Sequence, residues 1–501
     1  MQTIAAIDVG SNAIRLIVGR INDFESVEPI ENIRLPVRLG SEAFTQGWIG
    51  ERTMNAAAEA FLRFHKVIND FAVTHVRAVA TSAMREAANS DLLIDRISRQ
   101  TGIQVEVING EEEARLIHLA VGKSIDLRNQ RALLVDIGGG SVEITISEGR
   151  NILSSESYNM GTVRLLRKFS QAGGASPATF GLLVREYAEA ARRRIDHEIG
   201  RKKLDVCIGT GGNIEEMGEL RRKLFKKDTN RLITVNELET LAEKLEKMPV
   251  EERINKLALR PDRADVILPA VLVLQTIARI ARVREVHIPG VGLKDGILWD
   301  LMSNITPQAP HRDQVWASAT RLGRKYQIDV DHGALVAGLA GQIFDQTGSL
   351  HNLGGDERLL LEVAALLHDV GHFINTIDHD RHGYYILTHN FIFGLTERQR
   401  LVVANVVRYH RKAAPSQEDE NFRALPQKDR ILVSKLCAIL RLADGMDTSH
   451  TSRIHAVKIS SKKNRWTLSL DGKGDILLEK WTLSKRRALF QDVFGVELAI
   501  E

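Results

Sequence analysis

Short apolar runs alternate with stretches of helical spacing from residue 1 to about residue 300. A few apolar residues bounded by turn residues indicate a buried strand, whereas apolar residues recurring every three or four positions indicate a helix. We therefore predict helices over 54–68 and 177–199, and strands at 4–7, 14–18, 76–80, 105–108, 133–135, 142–146, 152–155, 206–208 and 286–288. Both halves of this region begin with a strand, a glycine turn and a second strand, and then alternate strands and helices. This pattern indicates two α/β domains around a central cleft.

The pattern changes after residue 303. Residues 304–310 carry two prolines and few apolar residues, which is typical of a linker. The chain is then helical and rich in histidine to about residue 447, and its end alternates like strands at 457–460, 466–470 and 476–478, with a turn at 471–474. We predict four domains, at residues 1–124, 125–303, 311–453 and 454–501, of which the third is all-helical and the fourth is a small appendix containing β-strands.

Composition indicates a globular protein, with 44% hydrophobic and 26% charged residues, no apolar run as long as a membrane span and no secretory signal pattern. Its two cysteines, Cys207 and Cys437, lie far apart, which favours reduced thiols in a cytoplasmic protein. The net charge of +4 excludes a strongly basic nucleic-acid binder. Basic residues still cluster locally, and several clusters on one surface would attract a polyanion. The clusters lie at residues 192–194, 201–203, 221–227, 462–463 and 485–487.

Two aspartates, Asp8 and Asp136, each end an apolar run and enter a turn rich in glycine and serine. Glycine lets the backbone approach a ligand closely, and successive N–H groups can bind phosphate oxygens. A carboxylate at the end of the strand is placed to hold a cation beside that phosphate. The predicted phosphate-binding residues of the two turns are Gly10, Ser11, Asn12, Gly138, Gly139, Gly140 and Ser141.

Five motifs occur together in one order and spacing, at residues 8–12, 81–85, 110–116, 136–143 and 160–165. Together they resemble the exopolyphosphatase / guanosine pentaphosphate phosphohydrolase family, within the actin–sugar kinase–Hsp70 superfamily. The resemblance implies two ribonuclease-H-like domains of the actin ATPase type around the cleft. It also implies a homodimer and Mg²⁺ as cofactor, and leaves open a monovalent cation beside the Mg²⁺.

The resemblance also assigns roles to two residues. Three glutamates at a helix N-terminus, residues 111–113, are by themselves typical of charges that complement the helix dipole. The family's catalytic glutamate directly precedes Ala-Arg-Leu, which makes Glu113 the general base for the attacking water. Arg85 matches the family's phosphate-contacting arginine, where a guanidinium stabilises negative charge, although a surface ion pair is the alternative.

Asp136 and Glu143 lie on either side of a tight hairpin, so both can face the cleft. We assign them to Mg²⁺ together with Asp8. A later glycine-rich turn resembles the loop of the family's second domain and would hold the next phosphate, with an ordinary strand-to-helix turn as the alternative. Its residues are Gly209, Thr210, Gly211 and Gly212.

The helical tail contains residues in the order and spread of an HD-type metal phosphohydrolase: His332, His368, Asp369, His382, His410 and Asp444. His382 would be a sixth ligand. Imidazole and carboxylate together suit Mn²⁺, Fe or Mg²⁺ in a second metal site. A scaffold that has kept the fold without metal is the alternative.

The resulting hypothesis is an exopolyphosphatase that releases orthophosphate from the end of inorganic polyphosphate by attack of water, with magnesium and a glutamate base. The alternative is a phosphohydrolase acting on guanosine pentaphosphate, or an enzyme with both activities. A small-molecule kinase of the same superfamily is a third hypothesis. A non-catalytic phosphate sensor is disfavoured, because the predicted base, the arginine and the metal-binding carboxylates occur together.

Overall fold

The structure, a computed structural model, describes residues 2–23, 26–170, 177–305, 310–462 and 465–501. The chain forms two compact units, residues 1–308 and 309–501. Their boundary falls in the predicted linker, of which residues 306–309 lie outside the described residues, as does Lys463 of one predicted basic cluster. Within the described ranges, no helix combines the length and apolar character needed to span a bilayer.

Strands and helices alternate along most of unit 1. Its strands are β1 (Gln2–Val9), β2 (Ile14–Asp23), β3 (Ser26–Leu35), β4 (His75–Ala80), β5 (Val105–Val107), β6 (Arg131–Ile137), β7 (Val142–Glu148), β8 (Asn151–Tyr158), β9 (Val206–Thr210), β10 (Leu232–Thr234) and β11 (Glu285–His287). Its helices are α1 (Gly40–Gln46), α2 (Glu51–Asp70), α3 (Ser82–Glu86), α4 (Ser90–Thr101), α5 (Gly110–Ser124), α6 (Thr162–Ser170), α7 (Pro177–Glu189), α8 (Arg192–Ile199), α9 (Gly212–Leu224), α10 (Val235–Lys247), α11 (Val250–Leu257), α12 (Pro261–Ala264), α13 (Ile267–Ile280) and α14 (Leu293–Ile305).

The two sheets of unit 1 repeat one topology. The first has the strand order β3-β2-β1-β4-β5, and the second has β8-β7-β6-β9-β11 with β10 added at its end. In each sheet the first three strands in sequence are antiparallel, and the next strand joins the first of them in parallel. This repetition confirms the prediction of two α/β domains.

Both faces of the central strands are buried, which explains their continuous apolar runs. In β1, Ile7 packs into a core under α2 and α4, whereas Ile4 packs into a core on the opposite face of the sheet. That second core also contains Leu116 of α5, Leu134 of β6 and Leu298 of α14. The two halves of unit 1 therefore share an apolar core, which packs against one face of each sheet.

Unit 2 is mainly helical. It contains α15 (Pro310–Lys325), α16 (Val330–Gln346), α17 (Gly348–His351), α18 (Gly355–Leu367), a 3-10 helix (Val370–Phe373), α19 (His379–His389), α20 (Glu397–Arg408), α21 (Glu420–Arg423), α22 (Gln427–Gly445) and α23 (Leu477–Phe494), with strands β12 (Ile454–Lys462), β13 (Arg465–Gly472) and β14 (Glu497–Ile500). One apolar core joins helix residues such as Val406 and Leu440 to strand residues such as Leu468 and Leu498. The C-terminal strands are thus part of the same compact unit as the helices.

Several elements differ from the sequence prediction, three of them in strands at the sheet edges or the C-terminus. The strand predicted at 476–478 is wrong, because Leu477 begins α23, and a short apolar run does not distinguish a strand from a first helical turn. The third strand of this sheet is β14, parallel to β13. Strand β3 was not predicted because it is a polar edge strand whose Pro29 lies at an irregularity in the pairing with β2.

Candidate active site

Two hairpins of unit 1 place their aspartates in equivalent positions. Asp8 of β1 pairs in register with Arg15 of β2, and Asp136 of β6 pairs in register with Glu143 of β7. Each turn is closed by one backbone hydrogen bond of 3.1 Å, donated by the glycine two residues after the aspartate. The alternation of strand side chains therefore directs both members of each pair to the same face of its sheet.

The two turns approach each other across the cleft. A Cβ added to Gly139 would lie 3.0 Å from Cβ of Ser11, in the opposite turn. Gly161 supports the second turn from behind, where an added Cβ would lie 2.3 Å from the carbonyl carbon of Gly140. A side chain at Gly139 would fill the space between the turns, and one at Gly161 would displace the second turn, so glycine at both positions keeps the backbone N–H groups in place for an anion.

Three carboxylates from different elements meet beside these turns. Glu113, Asp136 and Glu143 are buried, and each offers an oxygen within 4.8 Å of the others. Thr210 of β9 donates to Asp136 at 2.6 Å, and Ser157 of β8 donates to Glu143 Oε1 at 2.9 Å. The second Glu143 oxygen, Oε2, is buried with no hydrogen-bond partner among the described residues, which leaves it available to a cation.

Helix α5 places Glu113 in its first turn. Asn109 caps this helix by accepting a hydrogen bond from the Glu112 backbone at 2.9 Å. Arg85 contacts the Glu113 carboxylate. Its Nη1 lies 3.2 Å from Glu113 Oε2 and 2.6 Å from the Ile108 carbonyl oxygen. The predicted base and the predicted phosphate-binding arginine are therefore in contact.

Burial shifts the acid–base properties of this cluster. It raises the pKa of Asp8, that of Asp136 to about 6 and that of Glu143 to about 7. Burial, reinforced by the charge of Glu143, raises the pKa of Glu113 well above its ordinary value. Four buried carboxyl groups with raised pKa values indicate a site that favours a bound cation.

These shifts predict how stability changes with pH when no divalent cation is bound. In the unfolded chain the pKa of Glu143 is about 4.3, whereas burial raises it to about 7 in the folded protein. Between these values the folded state binds more protons, so its stability falls as pH rises. We expect Glu143→Gln to have a free energy of unfolding about 1–3 kcal/mol higher than wild type at pH 8, and therefore a higher unfolding temperature. This difference should disappear at pH 4. Thermal unfolding with chelator tests this; Glu59→Gln, at an exposed position of α2, is the control.

The third predicted loop lies at the end of β9. Gly211 has φ of +95°, a conformation that favours glycine, and an added Cβ would lie 3.3 Å from Asp136 Oδ1. Thr210 acts through its hydrogen bond to Asp136. Gly209, by contrast, is not among the described residues that line the cleft, and an added Cβ would meet Ile214 and Val286 at 2.9 Å.

The described residues that line the cleft include most of the predicted set: Asp8, Gly10, Ser11, Asn12, Glu113, Asp136, Gly138, Gly139, Ser141, Gly211 and Gly212. Gly140 faces away from it, where an added Cβ would meet Phe44 and Ser82 at 2.3 Å. The lining also includes Arg15 and Arg263, which lie outside the five sequence motifs.

Arg15 and Arg263 bring positive charge to the cleft. Arg15 Nη1 lies 3.0 Å from Asp8 Oδ2, and Arg263 Nη1 donates to the Asn213 side chain at 2.7 Å. Burial and the neighbouring Arg15 lower the pKa of Arg263 to about 9. Arginine that is buried among other cations is stabilised by binding an anion. Arg15 could have been found from the hairpin register opposite Asp8, whereas no local pattern marks Arg263.

Unit 2 contains a second cluster of titratable residues. His332 Nε2 lies 3.3 Å from His368 Nε2, and Asp444 Oδ1 lies 3.7 Å from the same His368 atom. His410 Nε2 lies 3.3 Å from Nε2 of a further histidine, His379. Asp369 contacts both histidine pairs, through Oδ2 to His368 and through Oδ1 to His379 and His410.

The sixth residue predicted for this cluster lies elsewhere. Neither His382 nor His410 is among the groups of described residues that could hold a metal ion, but His410 contacts His379 and Asp369, whereas no such contact of His382 occurs among the described residues. His382 lies three positions after His379, which is the first residue of α19. His379, and not His382, contacts Asp369. The sequence contains both histidines, and only the position of the helix start decides which one faces Asp369.

Two family models match the chain. One, described as the Ppx/GppA phosphatase family, matches residues 17–305, and the other, described as Ppx/GppA phosphatase, domain III, matches residues 316–486. A protein of Vibrio vulnificus named guanosine-5'-triphosphate,3'-diphosphate pyrophosphatase is 27% identical over 476 residues, which cover 93% of this chain and 91% of that protein. A relative of the same name from Vibrio parahaemolyticus is 26% identical, with 94% and 92% covered.

Solved structures match the chain over a shorter length. An exopolyphosphatase from Cytophaga hutchinsonii is 26% identical with a TM-score of 0.57, covering 61% of this chain and 99% of that one. A Ppx/GppA family member from Aquifex aeolicus is 25% identical with a TM-score of 0.52, again covering 61% and 99%.

Proposed function

The chain belongs to the Ppx/GppA phosphatase family, and from this premise we propose that it hydrolyses the terminal phosphoanhydride bond of inorganic polyphosphate and releases orthophosphate. One observation carries the proposal. The Glu113 carboxylate lies beside two glycine turns and within 4.8 Å of Asp136 and Glu143 oxygens, where a terminal phosphate and a water can meet. Phosphoryl transfer needs mainly such positioning and charge stabilisation.

The reaction assigns a task to each group. Glu113 accepts a proton from water as the water oxygen attacks the terminal phosphorus, and the bond from that phosphorus to the bridging oxygen breaks. The leaving oxygen stays on the shortened chain as phosphate. The N–H groups of the turns hold the phosphoryl oxygens, and Arg85 stabilises their charge while orienting Glu113.

The residues of the cleft fit the Mg²⁺ that the resemblance implies. Asp136 and Glu143, which lie together with Glu113, would hold it, and the Glu143 Oε2 is the oxygen free to do so. Asp8, which lines the same cleft and pairs with Arg15, is the third predicted ligand. When bound, Mg²⁺ supplies charge neutralisation on the phosphoryl oxygens. The resemblance also allows a monovalent cation beside the Mg²⁺.

A second substrate is favoured by the relatives that match most of the chain. Those from both Vibrio species are named for the pyrophosphatase acting on guanosine-5'-triphosphate,3'-diphosphate. The terminal phosphoanhydride of that nucleotide presents the same reacting group to Glu113. We therefore propose it as the alternative substrate of the same cleft, or as a second one.

The test is orthophosphate release from long-chain polyphosphate and from guanosine pentaphosphate, each with Mg²⁺ and with products identified by chromatography. Release from polyphosphate supports the primary proposal, and release from the nucleotide alone makes it the substrate. Formation of ADP from ATP and a phosphate acceptor would instead support the kinase hypothesis. Release from neither substrate, without ADP formation, would overturn the proposal.

Removing one carboxylate of the cleft should change the metal requirement. We expect Asp136→Asn to raise the Mg²⁺ concentration for half-maximal activity about tenfold or more, because an amide loses the charge that binds a hard cation. Activity is measured across a magnesium titration. Asp126→Asn, at an exposed position, is the matched control. An unchanged titration for Asp136→Asn would remove this residue from the site.

The resemblance further supports a homodimer, and the two free, buried cysteines support a location in the cytoplasm. Sedimentation velocity measures the oligomeric state, and fractionation of the producing cell measures location. A monomer at all concentrations would refute the dimer.

A further inference from the structure

We infer that Asp300 of α14 is a positioning residue for Glu113, a role that rests on the activity proposed for the cleft. Asp300 is 7% exposed and is not among the described residues that line the cleft. It can therefore affect the reaction only through its neighbours. Those neighbours are a group of buried ion pairs that ties the first turn of α5 to two other elements of unit 1.

Glu112 holds the first turn of α5 on the side away from the base. Consecutive side chains of a helix point about 100° apart. Glu113 lies with the carboxylates of the cleft, whereas Glu112 pairs with Arg115 of the same helix. Arg115 Nε lies 2.7 Å from Glu112 Oε2, and Arg115 Nη2 lies 2.8 Å from Oε1. Two parallel hydrogen bonds between a planar guanidinium and a carboxylate fix the orientation of both groups.

Asp300 joins this pair to a third side chain, Arg77 of β4. Asp300 Oδ1 accepts from Arg115 Nη2 at 2.7 Å, and its Oδ2 accepts from Arg77 Nη1. Arg77 Nη2 in turn lies 3.2 Å from Glu112 Oε1. Each carboxylate thus bridges both arginines, and the four side chains close a ring. Their exposed fractions lie between 7% and 17%, so water screens these charges little.

Each of the three elements in the ring brings a group to the cleft. Strand β4 leads directly into Thr81, which lines the cleft, and then into α3, which carries Arg85. Helix α14 carries Lys294 of the lining in its first turn, and α5 carries Glu113. Arg85 Nη1 lies 3.2 Å from Glu113 Oε2. The ring therefore helps to set the distance between the base and the arginine that contacts it.

The packing of α14 against α5 leaves Asp300 little freedom to adjust. A Cβ added to Gly296 would lie 2.0 Å from the backbone oxygen of Leu116, so the two helices approach each other closely here. Asp300 lies four positions after Gly296 and therefore on the same face of α14. Without its charge, two buried arginines would share the Glu112 carboxylate alone. The first turn of α5 should then shift, and Glu113 with it.

Asp300→Asn tests this role, because it removes the charge and keeps the size of the side chain. We expect kcat for orthophosphate release from polyphosphate to fall about tenfold per folded molecule, with KM within about twofold of wild type. Thermal unfolding gives the folded fraction. Glu237→Gln is the matched control, because Glu237 pairs with Arg221 at side-chain exposures of 13% and 8% and neither residue lines the cleft. The control should keep the kcat of wild type.

A double-mutant cycle shows whether Asp300 acts through the base. In Glu113→Gln no base remains to be positioned, so adding Asp300→Asn should lower the residual rate by less than about twofold. An equal loss from Asp300→Asn in both backgrounds would overturn this role, as would a wild-type kcat in the single variant. If the residual rate of Glu113→Gln is below detection, the comparison of kcat between Asp300→Asn and Glu237→Gln decides.

The outcomes separate this role from the proposed function. A wild type that releases orthophosphate, beside an unaffected Asp300→Asn, refutes only the role of Asp300. A wild type that releases none from either substrate refutes the proposed function and this role together. If Asp300→Asn does not fold, Glu112→Gln takes its place in the same cycle, because it removes the other carboxylate of the ring and should give the same loss.

Discussion

Replacing Glu113 with glutamine is expected to lower the rate of orthophosphate release by about 10²–10⁴-fold, the usual contribution of a general base. Glutamine preserves the size of the side chain and cannot accept the proton of the attacking water. The turns that hold the phosphate remain, so substrate binding should change little. Steady-state kinetics measure the loss in kcat, and equilibrium binding of polyphosphate to the variant measures the retained affinity.

Glu111→Gln is the matched control, because it removes the same charge from the same helical turn and should leave the rate near that of wild type. Near wild-type release by Glu113→Gln would remove Glu113 as the base. Lost binding in that variant would mean that Glu113 positions the substrate or the cation instead. A surviving activity that disappears with Asp369→Asn would place the hydrolysis in unit 2.

Gly161→Ala is expected to have the second large effect. Its Cβ would lie 2.3 Å from the carbonyl carbon of Gly140 and 2.4 Å from the nitrogen of Ser141, so the turn must shift. A displacement of about 1 Å in a positioned reactant costs roughly 10²-fold in rate. We expect kcat/KM to fall by about that factor, although none of the groups assigned to the chemistry has been altered.

Gly122→Ala provides the comparison, because its added Cβ meets nothing within 4 Å and lies in the interior of α5. That substitution should stabilise the protein by about 0.4–1 kcal/mol and preserve activity. Thermal unfolding separates the two cases. If Gly161→Ala loses activity only in proportion to lost folded protein, the turn does not position the substrate.

The two α/β domains and the main site residues could be predicted because they depend on local patterns. The hairpin signal, an apolar run before a glycine turn, identified Asp8 and Asp136, and the family motif identified Glu113. Arg263 could not be predicted, because its place beside the cleft depends on the packing of a distant helix against the turn after β9. His379 and His382 show the same limit, since the turn that starts α19 decides which side chain faces inward.

The repeated hairpins carry opposite charges at equivalent positions. The partner of Asp8 is Arg15, whereas the partner of Asp136, at the same place in the other hairpin, is Glu143. A linear polyphosphate has two identical ends and therefore no intrinsic direction. The two hairpins differ in charge, so the cleft between them has a direction. Either end of the polymer can therefore enter; in the proposed reaction its end phosphate would lie beside Asp136 and Glu143, and the following phosphates would lie toward Arg15. In the proposed reaction, any direction of movement along the polymer would thus come from the difference between the two hairpins rather than from the substrate.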